Sequence, residues 1–471
     1  MKNISIWKDN MEIKKFNKLG NDKEVDVLII GGGITGISTL YHLRKNRLKV
    51  MLVDQNKIGF SVTGNSTGKL TYLQNDLIDK IRNNFDDDIA YQYISSQRDS
   101  INMIKKVINK GKIDCDLEKV NSILYTNKEE EIEKIKDLEK FLKLNDISVY
   151  KDNNNLVDSK YMISVRDTYM FHPIKFIYGL IEDKDNIYED TSIKKIDKDN
   201  DFYICYTDKC KIKCKYVVLA SHYPYFLMPY LFPIKGSLER SYLSASKYKS
   251  DNISLISYSN PFISIRNYKD YLIYLSNSHS LDKDMDIYNN FKELKKKIKD
   301  LGLKEDYLWS NIDIMTNDGL PYIGKIKDNM YIGTGYNTWG LTNGFLAGKI
   351  ISDNILNKDN KYIDLFSPRR SNFSKNIGII SDIGKNISGY VKGYFIKNKN
   401  IIYDKDKMIY KDGNKEYVVC RNCPHLGCKL LFNSIEKTWD CHCHGSRFDI
   451  EGRCISGPSN KDIYYKENNK D

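Results

Sequence analysis

The sequence predicts an α/β fold with an inserted antiparallel sheet, followed by a small all-β domain. Three observations carry this prediction: a strand, glycine turn, helix and second strand in order over residues 25 to 54, β-rich runs between 202 and 276, and six of the ten cysteines between 420 and 454. At 471 residues the chain exceeds the length at which a single core stops growing, so two or three domains are expected.

Composition and charge exclude several function classes. The net charge is +12, but basic residues alternate with acidic ones along the whole chain, so we expect neither a nucleic-acid partner nor a membrane surface. No apolar run approaches the length of a spanning helix, and residues 1 to 10 have no signal-like apolar core, which predicts a cytoplasmic location. In such a chain, clustered cysteines favour metal or redox chemistry over a disulfide framework.

A glycine motif follows the first predicted strand, residues 25 to 30. Gly31 permits a tight turn, Gly33 lets the backbone approach a pyrophosphate, and Gly36 lets helix and strand pack closely. The helix is predicted over 37 to 45 and the second strand over 49 to 53, so that Asp54, 18 residues after Gly36, can accept hydrogen bonds from ribose hydroxyls. The motif predicts a dinucleotide site but does not distinguish FAD from NAD.

Further elements follow along the chain. Dense charge with few breakers predicts helices over about 78 to 145, alternation predicts a hairpin over 202 to 220, and residues 253 to 276 are predicted as two or three strands. A last strand from 330 leads through glycines into a helix over 342 to 356.

Two short motifs near the C-terminus predict a metal centre. Cys423-x-His425 and Cys441-x-x-His444 supply two thiolates and two imidazoles, with 15 residues between His425 and Cys441. A [2Fe-2S] cluster can take both thiolates on one iron and both imidazoles on the other. Tetrahedral zinc is the competing ligand, although the flanking Leu-Gly-Cys and Gly-Ser-x-Phe segments match the Rieske pattern. His442 is a rival for His444, but the spacing favours His444 and predicts His442 at the surface.

Two segments, 317 to 324 and 330 to 342, resemble the C-terminal flavin-binding segment of the D-amino-acid oxidase and glycine oxidase superfamily. The resemblance implies FAD as the cofactor. Residues 58 to 71, 171 to 173 and 219 to 224 are similar to the bacterial members of this superfamily that carry a C-terminal Rieske domain. The flavin contacts implied at the second segment are Gly333, Gly335, Gly340, Leu341 and Thr342.

The Rieske resemblance implies further roles. Cys428 and Cys443 would form a disulfide between the two cluster loops, and Gly457-Pro458 would cover the cluster. Phe448 stands where high-potential relatives have a tyrosine whose hydroxyl bonds a ligand sulfur, while Ser446 is retained, so we expect a potential in the middle of the Rieske range.

The domain organisation follows from these motifs. We predict an N-terminal arm over 1–24, the oxidoreductase domain over 25–370 with a substrate subdomain at about 225–310, a connecting arm over 371–395, and the Rieske domain over 396–471.

Several other residues allow two interpretations. Arg266 could clamp a substrate carboxylate or form a structural salt bridge, and we favour the salt bridge. His279 is expected to be a hydrogen-bonded loop histidine. Cys205, Cys210 and Cys214 could bind a metal, but on a hairpin their directions scatter, so ordinary thiols are expected. The sequence assigns no catalytic base.

The leading hypothesis is a flavin-dependent dehydrogenase that oxidises a small amine or amino-acid-like substrate and passes electrons through the cluster to a redox partner protein or quinone-like acceptor. One alternative is a reductase fed by a ferredoxin-like donor. Another is a redox sensor or electron carrier without a substrate. A Rieske oxygenase is excluded because no histidine pair outside the cluster has the spacing of a mononuclear iron site.

Overall fold

The computed structural model describes residues 1–9, 11–223, 236–281, 286–370, 398 and 400–465. The connecting arm predicted over 371–395 therefore lies outside the described residues. None of the helices described is long and apolar enough to cross a membrane. The helices are α1 (Ile34–Leu43), α2 (Leu77–Asn84), α3 (Asp87–Gly111), α4 (Ile132–Leu144), α5 (Pro173–Leu180), α6 (Ile287–Asp300) and α7 (Gly340–Ile355).

The strands form four sheets. In chain order they are β1 (Lys23–Ile30), β2 (Val50–Val53), β3 (Lys69–Leu70), β4 (Glu118–Thr126), β5 (Val149–Lys151), β6 (Tyr161–Met170), β7 (Ile187–Tyr188), β8 (Lys195–Asp199), β9 (Phe202–Tyr206), β10 (Lys211–Leu219), β11 (Gly236–Lys247), β12 (Ser254–Ser257), β13 (Ser264–Tyr268), β14 (Tyr271–Ser280), β15 (Glu305–Thr316), β16 (Tyr322–Lys327), β17 (Met330–Thr334), β18 (Ile401–Asp404), β19 (Lys407–Asp412), β20 (Lys415–Cys420), β21 (Leu431–Asn433), β22 (Thr438–Asp440), β23 (Arg447–Phe448) and β24 (Cys454–Ser456).

The first sheet has the order β16-β17-β10-β1-β2-β7, with β9 and β8 added beside β10. Strands β17, β10, β1, β2 and β7 run parallel. The residues of β1 from Val27 to Ile29 are fully buried, as expected for a parallel strand covered on both faces. The predicted hairpin over 202 to 220 is confirmed by the antiparallel pairing of β9 with β10. The carboxyl ends of β1, β2, β10 and β17 meet at one edge, where α/β proteins bind ligands.

The second sheet has nine strands in the order β15-β11-β14-β13-β12-β4-β6-β3, with β5 beside β6. The predicted strands at 253 to 276 are β12, β13 and the first half of β14. The predicted substrate subdomain, at about 225–310, covers only part of this sheet. Strands β3 to β6 also belong to the sheet, and they precede residue 225. The all-helical prediction for 78 to 145 was wrong at β4, because pairing with β6 and β12 overrides the local helical pattern around it.

Helices α1 and α7 pack directly against each other beside the first sheet. A Cβ on Gly348 would lie 2.4 Å from Ser38 Cβ, and one on Gly344 would lie 2.5 Å from Ile34 Cγ2. Only glycine allows this approach, which brings the N-terminus of α7 beside the N-terminus of α1. Helix α7 begins at Gly340, two residues before the predicted start.

The C-terminal domain consists of two small antiparallel sheets, β18-β19-β20 and β21-β22-β23-β24. Its core is separate from the cores of the larger sheets and includes Met408, Val419, Trp439 and Phe448, none of which is exposed to solvent. This domain is all β, as the sequence predicts.

Candidate functional site

A cleft with about 1550 Å³ of atom-free space, part of it open to solvent, lies at the carboxyl edge of the first sheet. Its walls come from three parts of the chain: the glycine turns after β1 and β17, strands β13 to β15 of the second sheet, and a loop of the C-terminal domain after β24. Six of the predicted cofactor residues line it: Gly31, Gly33, Asp54, Gly333, Gly340 and Leu341.

The turn after β1 has the geometry that its glycines predict. Gly31 has φ +112° and would place a Cβ 2.6 Å from Ala220 O, so only glycine fits between β1 and β10. A Cβ on Gly36 would lie 1.9 Å from Gly31 O, which explains the third glycine although Gly36 does not line the cleft. Gly33 caps α1 and lines the cleft, so that the positive end of the helix dipole faces the space where a pyrophosphate would bind.

Asp54 lies at the nucleotide end of the cleft, directly after β2. Its carboxylate accepts hydrogen bonds from the backbone N–H groups of Gly32 (2.6 Å) and Asn56 (2.7 Å). Burial raises the pKa of Asp54 to about 6, although these two N–H groups favour the charged form. Asp54 lines the cleft, and its contact with ribose hydroxyls stays a prediction.

The second glycine segment lies beside the first, since a Cβ on Gly333 would lie 2.9 Å from Thr35 Cγ2 on α1. Gly333, Gly340 and Leu341 line the cleft, but two of the predicted contacts do not. Gly335 has φ +73° and packs against Thr316, where a Cβ would lie 2.5 Å from Cγ2. Thr342 is buried and donates to Gln97 Oε1 at 2.6 Å. These two residues shape the turn, while the cradle left by the lining glycines fits a flavin.

The two cluster loops bring the predicted metal ligands together. The Cys423 and Cys441 thiols hydrogen-bond each other, which lowers the pKa of Cys423 and raises that of Cys441. The imidazole rings of His425 and His444 lie 4.8 Å apart, and burial lowers the pKa of each to about 4. Neutral imidazoles are the form that binds metal. This donor set fits a cluster with two thiolates on one side and two imidazoles on the other.

A disulfide joins Cys428 to Cys443, as the Rieske resemblance implied. The sulfurs of Cys428, Cys441 and Cys443 lie within 4.8 Å of one another and could suggest a separate metal site. Because two of the three are consumed by the disulfide, this trio cannot supply three thiolates. The disulfide instead ties the two loops at the side of the predicted cluster.

His442 is not at the surface, contrary to the prediction. It is 5% exposed, and its Nε2 lies 3.8 Å from Cys443 Sγ, on the disulfide side of the loop. Ser446 is fully buried and hydrogen-bonds Cys423, as expected for a donor to the cluster region, and Phe448 is fully buried in the domain core.

The C-terminal domain closes one wall of the cleft. Residues 455–460 line it, so the Gly457-Pro458 loop borders the flavin space as well as the cluster loops. Asn56 Nδ2 donates to Ile455 O at 3.2 Å, and the side chain of Asn460 bonds the backbone of Ile193 and Lys194. Sequence motifs do not reveal the contact of Asn56 with Ile455, because these residues are some 400 positions apart.

Buried charges hold the same domain to the second sheet. Arg240 on β11 and Asp440 on β22 form an ion pair at 2.6 Å, with both side chains only 2% exposed. Arg447 bonds Asp440 at 3.2 Å and Glu436 at 2.8 Å, and Glu436 accepts from the backbone of Ser310 at 3.0 Å. We call Arg240, Glu436, Asp440 and Arg447 the interface ion cluster. Burial favours neutral Asp440, but Arg447 and Arg240 lower its pKa to about 2.

Tyr223 lies between the cleft and the predicted cluster site. It lines the cleft and also a smaller cavity of about 360 Å³ that reaches His444. The centroid of its ring is 6.4 Å from that of His425 and 6.2 Å from that of His444. Tyr223 stands in the segment 219–224 that the sequence singled out, but only folding shows which site it faces.

The other residues that the sequence singled out lie outside the cleft wall. Arg266 is fully buried and donates to Gly68 O (2.7 Å) and Asn267 O (2.9 Å). It forms no salt bridge with the described residues, contrary to the favoured prediction, and it does not line the cleft. Its charge packs over the Trp7 ring instead. His279 is hydrogen-bonded through both ring nitrogens as expected, but on β14 rather than in a loop. The thiols of Cys205, Cys210 and Cys214 are free and buried.

Comparisons with known proteins agree with this architecture. The sequence model of the FAD dependent oxidoreductase family, DAO, matches residues 26–354, and that of the Rieske [2Fe-2S] domain matches residues 391–465. The Rieske 2Fe-2S iron-sulfur protein YhfW of Bacillus subtilis (strain 168) is 28% identical over 98% of this chain and 96% of its own.

Two further relatives share only the oxidoreductase part. Gamma-glutamylputrescine oxidoreductase of Escherichia coli (strain K12) is 23% identical over 75% of this chain and 88% of its own. The crystal structure of glycine oxidase from Geobacillus kaustophilus superposes with a TM-score of 0.61 at 16% identity, covering 74% of this chain and 99% of that one. The chain belongs to the FAD-dependent oxidoreductase (DAO) family and carries a C-terminal Rieske domain, with FAD and a [2Fe-2S] cluster as its cofactors.

Proposed function

We propose that this oxidoreductase is a dehydrogenase that oxidises a small amine or amino-acid-like substrate and delivers the electrons through the Rieske domain to an external acceptor. FAD supplies a two-electron acceptor for the substrate hydride, and the cluster supplies a one-electron carrier. The observation that carries the proposal is the position of Tyr223, whose ring lines the cleft and lies within 6.4 Å of both predicted histidine ligands.

The proposal assigns the predicted site residues to these cofactors. Cys423, His425, Cys441 and His444 would hold the cluster, and burial that keeps both imidazoles neutral supports this assignment. His444 Nδ1 is buried and has no hydrogen-bond partner among the described residues, as expected of an atom reserved for a metal. The glycine turns after β1 and β17, together with Asp54, would hold FAD.

The domain boundaries are part of the same proposal. The oxidoreductase domain would span 25–370 and the Rieske domain 396–471, joined by the arm over 371–395. The separate core of the C-terminal sheets supports a distinct domain there. The contacts of the Gly457-Pro458 loop with the cleft support two domains that work as one unit.

The C-terminal domain has a fixed orientation that suits electron transfer within the chain. The cluster loops face β11 and β15, where a Cβ on Gly445 would lie 3.4 Å from Leu238 and Ile312 side-chain carbons. The interface ion cluster holds this contact, so the imidazole edge points toward Tyr223. A mobile cluster domain would need no such buried charges, since each costs desolvation energy.

The relatives favour an amine or amino acid as the substrate class. One is named as an oxidoreductase of gamma-glutamylputrescine and another as a glycine oxidase. Those names describe the relatives, and for this chain they support only the class of C–N bond that would be oxidised. An external acceptor, either a redox protein or a quinone-like molecule, is required because the cluster accepts one electron at a time.

The test is anaerobic reduction of the holoprotein with a panel of small amines and amino acids. Flavin absorbance and the electron paramagnetic resonance signal of the reduced cluster are followed together in rapid-mixing and freeze-quench experiments. We expect flavin bleaching first and the cluster signal second. A cluster that stays oxidised while the flavin bleaches would contradict the proposal, and reduction of the cluster before the flavin by a ferredoxin-like donor would favour a reductase.

A variant of Tyr223 tests the path itself. In Tyr223→Leu we expect the rate of flavin bleaching to be retained and the rate of cluster reduction to fall, because the aromatic bridge is lost. Tyr216→Leu is the matched control, since Tyr216 lies on β10 and lines neither cavity. Equal cluster reduction rates in both variants would remove Tyr223 from the path.

A further inference from the structure

The charged side chains of the described cleft wall are acidic, whereas an amino-acid substrate needs a cation that binds its carboxylate. Among the described residues of the cleft wall the carboxylates are Asp54 and Asp313, and this part of the wall contains no lysine or arginine. Asp54 belongs to the nucleotide end, after β2. Asp313 is therefore the other carboxyl group of the described wall, on β15 of the second sheet.

Asp313 lies beside the flavin end of the cleft. It is on β15, and the next residue, Ile314, accepts a hydrogen bond from Asn337 N at 3.1 Å. Asn337 Oδ1 in turn accepts from Thr316 N at 2.7 Å. These two bonds attach the end of β15 to the turn between Gly333 and Gly340, both of which line the same cleft.

Two side chains near Asp313, Asn311 and His222, offer hydrogen-bond acceptors without a partner among the described residues. Asn311 Nδ2 donates to Asp313 Oδ2 at 3.1 Å, which turns the amide oxygen of Asn311 away from the carboxylate. Asn311 is 6% exposed and lines the cleft, and its Oδ1 has no partner in the part of the chain that the structure describes. A buried acceptor without a donor costs free energy, so a ligand N–H group is the natural partner.

His222 adds a third acceptor to the same region. Its ring bonds the backbone of Ile312, between Asn311 and Asp313, and its Nε2 is buried without a partner among the described residues. Burial lowers the pKa of His222 to about 4, so the ring is neutral at physiological pH. The nitrogen that does not bond the backbone can then accept a proton or a hydrogen bond.

Buried cations of the second sheet do not compensate for this. Arg240 is paired with Asp440 and does not line the cleft. Arg266 is held by backbone carbonyl groups and does not line the cleft. Lys69 lies behind Ser264, donating to Ser264 Oγ at 2.8 Å and Leu255 O at 2.7 Å, and burial lowers its pKa well below the usual value. None of these side chains presents a charge to a ligand carboxylate.

We infer that Asp313 and Asn311 form a recognition site for the ammonium group of the substrate, which is therefore a cationic amine without an α-carboxylate. An ammonium supplies the N–H donors that Asn311 Oδ1 lacks. Burial raises the pKa of Asp313 to about 7, and a bound ammonium favours the charged carboxylate form. An α-amino acid would also bring a carboxylate, which finds no cation in the described wall and would meet the carboxyl group of Asp313. The inference rests on the proposed function and narrows its substrate class.

The test compares pairs of compounds that differ only by the carboxylate: isobutylamine with valine, phenethylamine with phenylalanine, and pyrrolidine with proline. Binding to the oxidised holoprotein is measured by perturbation of the flavin absorbance spectrum, and anaerobic bleaching is measured separately. We expect at least one amine to bind and its amino acid to bind at least about tenfold more weakly, which is about 1.4 kcal/mol.

Three variants assign the effect to Asp313. Asp313→Asn should weaken amine binding by about ten- to a hundredfold, because a hydrogen bond to a charged group is lost. Asp313→Glu keeps the carboxylate and should retain the preference for amines. Glu239→Gln is the control on the neighbouring strand, outside the cleft wall, and should change binding by no more than about threefold. FAD content is measured for each variant, so that a misfolded protein is recognised.

The outcomes separate this inference from the proposed function. Amino acids that bind or bleach the flavin as well as their amines, or an Asp313→Asn variant with unchanged amine binding, would overturn the ammonium site while leaving a substrate dehydrogenase in place. If neither class binds or bleaches the flavin, the inference and the proposed function both fail.

Discussion

Arg240 and Asp440 form a buried ion pair across the domain interface, and we predict that breaking it destabilises the protein more than removing both charges. Each side chain is 2% exposed and the two charged atoms lie 2.6 Å apart. Substitution of one partner leaves the other charge buried, which typically costs about 3 to 5 kcal/mol. Replacement of both by neutral groups removes the desolvation cost together with the attraction.

The remaining partners of each side chain predict how much stability each variant loses. In Arg240→Met, Asp440 keeps Arg447 at 3.2 Å, so the loss should be near the lower limit, about 3 kcal/mol. In Asp440→Asn, Arg240 has no other acidic partner among the described residues, so the loss should be about 4 to 5 kcal/mol. In the double variant the loss of stability should be only about 1 to 2 kcal/mol. The sum of the two single-variant losses exceeds this value by several kcal/mol, which is the coupling energy of the pair.

The assay is urea unfolding of the holoprotein, followed by the visible circular dichroism of the cluster and by flavin fluorescence. Lys119→Met is the control, because its ion pair with Asp167 has side chains that are 60% and 72% exposed and should contribute nothing measurable. Single-variant losses that simply add in the double variant would refute the reasoning. The Arg240→Met variant should also lose cluster reduction by substrate, since the imidazole edge is no longer held toward Tyr223.

Three further predictions concern other parts of the molecule. Gly36→Ala should abolish FAD binding, measured as the ratio of flavin to protein absorbance, because its Cβ would lie 1.9 Å from Gly31 O, whereas Gly20→Ala, with nothing within 4 Å, should bind FAD normally. Burial raises the pKa of Asp313 from 3.8 to about 7, so the folded protein holds a proton that the unfolded chain releases, and this stabilisation is lost as the pH rises through 7. Asp313→Asn should therefore leave the free energy of unfolding of the FAD-free protein unchanged near pH 4. At pH 8 it should raise that free energy by at most about 4 kcal/mol. A stability gain at the lower pH would contradict the predicted direction of the pH dependence. Phe448→Tyr should raise the midpoint potential of the cluster in a redox titration, since a new hydroxyl could bond a ligand sulfur, and an unchanged potential would show that Phe448 does not set it.

Local sequence patterns were sufficient to predict the parts of the site that are built from residues close together in the chain. The requirement for Gly31 comes from Ala220, directly after β10, but the requirement for Gly36 comes from the carbonyl of Gly31, which is close in the chain, so the role of Gly36 follows from spacing. The same holds for the Cys-x-His and Cys-x-x-His loops, where short spacing brings ligands together on one turn. The resemblance to known families then supplied FAD, the cluster and the disulfide.

Strand β4 shows where local pattern fails. Its residues lie between charged helices and were predicted as helix, but pairing with β6 and β12 outweighs the local preference. His442 and Arg266 show the same limit for side chains. Whether each is exposed, paired or buried depends on residues that fold against it from distant segments.

The sequence by itself determined the two cofactor sites, because phosphate cradles and metal loops are built from a few consecutive residues. Only the tertiary structure decided how those sites relate. It placed Tyr223 between the cleft and the imidazoles and closed the flavin cleft with the Gly457-Pro458 loop. Such contacts join positions hundreds of residues apart, and burial, charge pairing and packing fix them only when the whole chain is folded.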